Sequence, residues 1–449
     1  MIRRWREVER WIENGASESR ASKFPILPLR DVLDERREAV QVEGGLGDWQ
    51  AITIRFSGEV LPRKRTEAFK GAMFAAYPGD LVFSKIDARN GAIGLIPEDI
   101  RKAVVTSEYP VFTPKAAKLR GDYLHHLLHA NHFKAALQRK ASGTSGRKRV
   151  TAEGFLSLEV PVPILDEQEQ LVAVYDATVA SAAEMEAKAE AIERSGWEAF
   201  EAALGLTPPP PLPDRPVFVA RFKDVERWSH EGILRSATRS AVRPHSWPLA
   251  RLGDLVADLE NGWSPKCHDH PAHKGKWGVL KLGAVSFGIF NAVENKELPP
   301  GLKPRPGHEV KAGDVLISRA NVVRYVGACA YVRRTPPKLM LCDKIFRVCF
   351  LPESQLLPQF LAEAMKLQLV REHIEAHLTG TSPTMKNISK PALLDIHFPL
   401  PSVEVQRHLV AKILCGRRKA AYMRRKARVL RSSAWADFES ALFTDAIAP

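Results

Sequence analysis

The sequence predicts an α+β chain built from two similar α/β units, each followed by a long helix. Three observations carry that reading. Leu165 to Leu204 returns 238 positions later as Val403 to Leu442. Leu165, Gln168, Val172, Tyr175, Val179, Ala182, Met185, Ala189 and Ile192 recur at three- and four-residue steps, the stripe of a helix that seats against another helix. Their counterparts are Val403, Gln406, Val410, Ile413, Arg417, Ala420, Met423, Ala427 and Leu430, and the ends agree best, Trp197, Phe200 and Leu204 against Trp435, Phe438 and Leu442. Second, the segment Gly79-Asp-Leu-Val-Phe-Ser-Lys85 is answered by Gly313-Asp-Val-Leu-Ile-Ser-Arg319, a turn feeding a buried strand in both halves. Third, 449 residues with 45% hydrophobic content are too many for one core and enough for two.

In chain order, Trp5-Arg-Glu-Val-Glu-Arg-Trp11 is matched by Phe222-Lys-Asp-Val-Glu-Arg-Trp228, so the repeat starts at the first residues. Pro28-Leu29-Arg30-Asp31-Val32-Leu33 and Pro248 to Leu255 read as the short strand or turn that leads into each unit. From there to about residue 75 the halves share no alignable sequence. After the Gly-Asp strand comes an apolar helix, Asp122 to Lys140 and Pro358 to Leu378, each followed by Gly-Thr-Ser (Gly143 to Ser145; Gly380 to Ser382), where glycine is the expected stop. Val160-Pro-Val-Pro163 and Phe398-Pro-Leu-Pro401 close the units, because a proline pair continues neither sheet nor helix. The first long helix then opens with a capping box at Asp166 and Glu169 and stops at Gly205, while Ser402 caps the second. Each spans about 40 residues, or roughly 60 Å at about 1.5 Å per residue. Thr207 to Pro213, with five prolines in seven residues, is a stiff connector.

The excess of 66 Lys+Arg over 52 Asp+Glu, a net charge of +14, favours a polyanionic partner. Membrane attraction would be the competing reading, but no apolar run approaches the roughly 18 residues of a spanning helix, and the first residues lack a signal-peptide core. A cytoplasmic location is expected. Five cysteines, an odd number and all in the second half, do not form a disulfide framework. The chain has no Gly-x4-Gly-Lys-Ser/Thr loop, no Gly-x-Gly-x-x-Gly and no His-Glu-x-x-His, and it lacks the Asn-Pro-Pro-aromatic or Asp-Pro-Pro-aromatic run that an amino-methyltransferase would carry. The expectation is a non-catalytic chain that binds no cofactor.

The Gly-Asp strand with Ser84-Lys85, the Gly-Thr-Ser after a helix, the Pro-x-Pro and Glu167-Gln168 opening a long helix together resemble the specificity (S) subunit of Type I DNA restriction-modification systems. The second copy departs at Val405-Gln406. The resemblance implies two target-recognition domains, residues 1–164 and 222–402, separated and followed by spacer helices at 165–206 and 403–443, with a linker at 207–221. It implies helices packed as an antiparallel coiled coil and each domain reading half of a split double-stranded DNA target. Two methylation (M) subunits would carry adenine-N6 methylation and restriction (R) subunits cleavage, with S-adenosylmethionine, ATP and Mg used by those partners. A spacer of roughly 60 Å bridges at most about 18 base pairs at about 3.4 Å per step. The alternative is a coiled-coil scaffold whose globular ends bind protein.

The basic residues expected on DNA form three groups: Arg63, Lys64 and Arg65 in the variable part of the first unit; Lys85, Arg89 and Asn90, with Arg147, Lys148 and Arg149, in its shared part; and Arg319, Asn321 and Arg324, with Lys386 and Asn387, in the second unit. Arginine and asparagine read base edges bidentately, whereas lysine more often neutralises phosphate. Lys85/Arg319 and Lys148/Lys386 occupy shared positions and are expected on the DNA backbone. The helices are expected to pair, or to dock partner subunits, through Val172, Tyr175, Val179, Met185, Ile192, Trp197 and Phe200 and through Val410, Ile413, Met423, Leu430, Trp435 and Phe438. Acidic residues on the first (Glu184, Glu186, Glu190, Glu193) and basic residues on the second favour that pairing. His125, His129 and His132 share a helical face, but the second copy has Ala362, Lys366 and Leu369 there, so a solvated or DNA-facing helix is expected. Cys267-His268-Asp269-His270-Pro-Ala-His273 holds metal-type ligands, yet one cysteine without a second is no zinc pattern. A polar recognition loop, with no metal, is expected.

Overall fold

The computed structural model describes residues 21–41, 45–65, 67, 69, 71–141, 149–206, 246–382 and 385–444. The aromatic-flanked repeat at 5–11 and 222–228, Gly143 to Ser145, Arg147, Lys148 and the proline connector lie outside them. The chain divides into two units, one holding residues up to 187 and from 423 onward, the other residues 188–422.

In the first unit the strands are β1 (Ile26–Pro28), β2 (Leu33–Arg36), β3 (Ala39–Val40), β4 (Gln50–Ile54), β5 (Val60–Pro62), β6 (Met73–Ala76), β7 (Leu81–Phe83), β8 (Ile93–Leu95), β9 (Ala103–Thr106), β10 (Val111–Pro114) and β11 (Glu159–Pro161). Helices α1 (Gly121–His129), α2 (Asn131–Lys140), α3 (Ala152–Leu156) and, up to residue 187, the long α4 (Leu165–Ala203) belong to it. An antiparallel sheet runs β2-β10-β7-β8, a second sheet runs β3-β6-β9-β4-β5, and β1 pairs with β11. Strand β7 is buried along its whole length, as a strand with helices on one face and a second sheet nearby must be. Its core packs Phe83, Phe112 and Phe155 together with Tyr123, Leu127 and Phe133.

The second unit repeats this plan with β12 (Leu249–Arg251), β13 (Val256–Asn261), β14 (Gly278–Leu280), β15 (Val285–Ser286), β16 (Ile289–Phe290), β17 (Asn295–Glu297), β18 (Val315–Ser318), β19 (Ala320–Asn321), β20 (Cys329–Tyr331), β21 (Leu339–Met340) and β22 (Ile345–Phe350). Helices α5 (Pro358–Ala364) and α6 (Gln368–Ala376), strand β23 (Lys386–Asn387), helix α7 (Lys390–Leu394), strand β24 (His397–Pro399) and the long α8 (Val403–Leu442) follow. The sheet β13-β22-β18-β20 has the order and directions of β2-β10-β7-β8, and β12 pairs with β24 as β1 does with β11. The variable parts also correspond in topology. In each, an early strand runs parallel to the strand that precedes the last sheet strand, β4 beside β9 and β14 beside β21. The similarity that sequence loses before residue 75 is therefore retained in pairing, where any side chains of the right polarity suffice.

Two sequence expectations are corrected here. The helix expected over Asp122 to Lys140 is two helices, broken at Ala130, whose ψ of 148° is extended. Its counterpart breaks at Leu367 with ψ 140°, 237 positions on. Neither break has a proline or glycine. Both residues are buried, so the kink redirects the second helix to bury Phe133 and Leu137, or Val370 and Ile374, on the same core. Gly380 has φ +103° but lies four residues beyond Ala376, so it shapes the turn into β23 rather than ending α6.

The long helices pair antiparallel within each unit. In the first, Tyr175 meets Trp435 at 4.6 Å and Phe438 at 6.0 Å between ring centroids, while Glu186, further along α4, meets Arg431, further back on α8. In the second, a Cβ on Gly416 would lie 3.6 Å from Ile192, a close approach, and Phe200 joins Val410 and Ile413 in the core. Val172, Phe200, Val410, Ile413 and Phe438 are buried; Tyr175, Val179, Met185, Ile192, Trp197, Met423, Leu430 and Trp435 are partly buried.

The helix starts are held by a duplicated glutamine. Gln168 Oε1 accepts from Arg120 N, and its Nε2 donates to Lys118 O and Pro163 O, all at 2.8 Å. Gln406 does the same with Leu357 N, Gln355 O and Pro401 O. Both are fully buried and saturated, which tolerates no shorter residue. The expected capping box at Asp166 and Glu169 is instead Glu167 accepting from Ile164 N at 3.2 Å, because the helix begins two residues earlier than that pairing needs. At the far end α4 closes in a Schellman motif: Leu206 N donates to Glu201 O, Gly205 N to Ala202 O, and Gly205 takes φ +73°.

Candidate nucleic-acid interface

In the first unit the Gly-Asp turn places Gly79 at φ +83°, and Asp80 accepts from Tyr77 N at 2.8 Å. The buried Asp80 is also held by Arg36 and Thr113 at 2.8 and 2.7 Å. In the second unit Asp314 accepts from Lys311 N in the same i−3 relation, with Arg347 at 3.7 Å. This fixes the strand whose far end delivers Lys85 and Arg319. There the two units make the same backbone bond: Val150 N donates to Lys85 O at 2.8 Å and Ile388 N to Arg319 O at 3.0 Å.

That bond gathers the candidates of the second unit. Strand β19 pairs with β23, Asn321 opposite Lys386 and Ala320 opposite Asn387. Asn321 Oδ1 accepts from Val322 N at 2.8 Å, and Lys386 Nζ donates to Gly380 O at 2.6 Å. Arg324 is exposed on the next turn, over Tyr325. Arg319 stacks on Phe346 with 5.6 Å from guanidinium to ring. Its Nε and the Ser318 hydroxyl are buried with no hydrogen-bond partner among the described residues, and a buried donor left over in this way asks for one.

In the first unit Arg149 lies beside Val150, next to Lys85, and pairs with Glu108 at 3.3 Å, so part of its charge is already met. Asn90 is exposed on the turn after β7, and Arg89 Nε is another buried donor without a partner among the described residues. Arg63, Lys64 and Arg65 belong instead to the other sheet, after β5: Arg63 and Lys64 are exposed, and Arg65 lies over Phe69 at 4.5 Å. Two cation–aromatic pairs of the variable sheets escaped the sequence reading, Lys102 on Trp49 at 5.9 Å and Arg305 on Trp263 at 4.1 Å. Their partners are about 40 to 50 residues apart, beyond any local pattern.

The histidines correct another expectation. The face carrying His125 and His129 is turned inward, because Gly58, at φ +86°, brings backbone where a Cβ would lie 2.4 Å from His125 Nε2. His129 bonds His125 O and Gly91 O at 2.8 and 3.0 Å. Burial pushes the His125 imidazole down to about 3, with His129 and His126 adding to the effect. His132 packs against Phe133 and Phe443. The segment after Cys267 does form a loop, but it brings His270 and His273 onto Glu297 of β17.

Residues 66–194 match the family described as Type I restriction modification DNA specificity domain. A curated relative, the Type I restriction enzyme EcoEI specificity subunit of Escherichia coli, is 32% identical over 171 residues, 38% of this chain. The match spans 29% of the length of that relative. Among solved structures, one described as the structural basis of complex assembly and conformational transition of the type I R-M system covers 94% of this chain and 99% of its own, at 16% identity and a TM-score of 0.58. The fold of this chain is thus shared across nearly its whole length. A crystal structure of the HsdS subunit from Thermoanaerobacter tengcongensis covers 94% of this chain and 97% of its own, at 18% identity and a TM-score of 0.48. No described helix is long and apolar enough to cross a membrane.

Proposed function

We propose that this chain is the DNA sequence-recognition subunit of a Type I restriction-modification complex, each unit reading one half of a bipartite double-stranded target. The observation that carries the reading is the duplicated bond at Lys85 and Arg319, which sets a basic residue, Arg149 in one unit and Lys386 in the other, close to the end of the Gly-Asp strand. Around it the side chains differ, as two readers of different half-sites require. The guanidinium groups of Arg89 and Arg319 suit phosphate oxygens, and Asn321, Arg324 and Asn387 suit base edges. Arg63 to Arg65 suit a second point of phosphate contact. The chain contributes no catalysis in this reading. Two methylation subunits supply adenine-N6 transfer with S-adenosylmethionine, and restriction subunits supply cleavage with ATP and Mg, in the cytoplasm.

The test is to reconstitute the chain with its methylation subunit, measure duplex binding against salt and map modified adenines. Specific binding with a negative slope of log affinity on log salt, and modification at a two-part asymmetric site, is expected. The variant R319A/N321A should lose or relax the half-site read by the second unit, leaving the other half-site unchanged. Binding without a salt slope, with no modified site, would leave a protein scaffold.

A further inference from the structure

Outside the proposed DNA surface, the second unit gathers His270, His273 and Glu297. One ligand atom from each lies within 4.8 Å of the others, and this is the group that meets that geometry among the described residues. The loop carrying the histidines is fastened to β17 by its backbone. His268 N donates to Glu297 O and Glu297 N to His270 O, at 3.1 and 3.0 Å. Ala272 N donates to the buried Asn295 Oδ1 and His273 N to Glu297 Oε2, both at 2.8 Å. Glu297 is only 9% exposed.

A bland reading is available: Glu297 anchors the loop by accepting from His273 N and Nδ1, the latter at 2.7 Å. That reading accounts for His273 but leaves His270 unexplained. His270 Nδ1 lies 3.1 Å from Pro271 O, and a carbonyl can only accept, so in the neutral ring Nδ1 carries the proton and Nε2 is the nitrogen with an electron pair to offer. An imidazole fixed in that tautomer by a backbone carbonyl is the usual outer support of a metal-ligating histidine. We propose that His270, His273 and Glu297 bind a divalent transition-metal ion, with zinc the best fit, which staples the variable loop 267–273 to β17.

The donor set decides the class of ion. Two imidazoles and one carboxylate suit zinc and its neighbours, whereas magnesium and calcium prefer oxygen alone. Ligand atoms about 2.0 to 2.1 Å from a tetrahedral ion stand about 3.3 Å apart. The His273–Glu297 pair must open slightly from 2.7 Å and the widest pair must close from 4.8 Å. Both histidines are exposed, so their side chains can make that adjustment while the backbone stays fixed. Three protein ligands leave a fourth position for water or an outside group. The nearby Lys296 is already paired with Asp269 at 2.8 Å. Cys267 is half-buried against the apolar core of the variable sheet and is not one of the three. The first unit has no counterpart in sequence, so the staple belongs to the half-site read by the second unit.

The test is calorimetric titration of the chelator-treated full chain with zinc chloride, beside titration with cobalt(II) followed by its visible absorption. One saturable site per chain, with a cobalt spectrum of low-coordinate nitrogen and oxygen ligation, is expected. The variant H270A/H273A should lose the site, an effect larger than the tenfold to hundredfold that removal of an outer partner costs, and E297Q should weaken it. The C267S variant should bind as the unchanged chain does. Circular dichroism checks that the variants fold. Absence of saturable binding, binding that survives H270A/H273A, or loss of the site in C267S would overturn the proposal. None of these readouts depends on DNA, so the metal site and the DNA reading fail separately.

Discussion

His125 shows how little a residue's own neighbourhood in sequence tells of its role. Three histidines at helical spacing look like a polar face, and Ala362, Lys366 and Leu369 at the matching positions of the second copy argue only against a shared metal site. What turns them inward is Gly58 and Gly91, distant residues whose missing side chains let backbone approach the rings. The consequence is a pH dependence with a definite sign. The folded-state value is about 3 and an unfolded histidine titrates near 6.5, so the unfolded chain binds the proton first as pH falls. His125 therefore contributes stability that is fully present above about pH 6.5 and is lost as pH drops toward 3. Hydrogen exchange over residues 121–140, measured from pH 7 to pH 4 and corrected for intrinsic rates, should show protection falling with acidity. His125→Gln should flatten that fall, and an equal slope in the variant would assign the loss to other groups. Glu297 makes the same point: it is 24 residues from His273, so the sequence presents the histidines without the carboxylate that completes them.

At the scale of elements, the legible features were those written twice. The stripe of the long helices, the Gly-Asp strand and the Pro-x-Pro close were readable because each half checks the other, and the buried glutamines explain why Gln168 and Gln406 match where Glu167 and Val405 do not. The breaks at Ala130 and Leu367 were invisible because tertiary burial, not a breaker residue, makes them. Sequence also suggested that opposite charge pairs the helices, and here magnitudes decide. The Glu186–Arg431 contact is 2.8 Å long but partly exposed at both ends, which is worth about 0 to 1 kcal/mol. Phe438 is 3% exposed and touches Tyr123, Tyr175 and Trp435; its truncation costs about 3 to 5 kcal/mol. Phe438→Ala should therefore lower the urea midpoint several times more than Glu186→Gln. Equal shifts would return the pairing to electrostatics.

At the scale of the whole molecule, each unit completes its core with a helix end that the duplication makes interchangeable. The first unit takes Phe438, Leu442 and Phe443 from the end of α8; the second takes Phe200, Leu204 and Leu206 from the end of α4. Under the 238-residue offset Phe200 and Leu204 are the counterparts of Phe438 and Leu442, and Trp197 is that of Trp435. A fragment of residues 1–206 loses the α8 end and would expose its seat, at about 1.5 to 3 kcal/mol for each large apolar side chain. A second copy of the fragment carries what fits there. The opposing term is charge: Arg431 corresponds to Glu193, so Glu186 would meet the second copy's Glu193 in place of a cation. An exposed like-charge contact costs about as little as an exposed ion pair contributes, 1 kcal/mol or less, and several buried aromatic and leucine side chains outweigh it. The fragment is therefore expected to form a two-fold dimer. With the methylation subunit it should modify a palindrome containing the first half-site twice. Light scattering gives the first result and mapping of modified adenines the second; a monomer at micromolar concentration, or an asymmetric modified site, would show that the helix ends are not interchangeable.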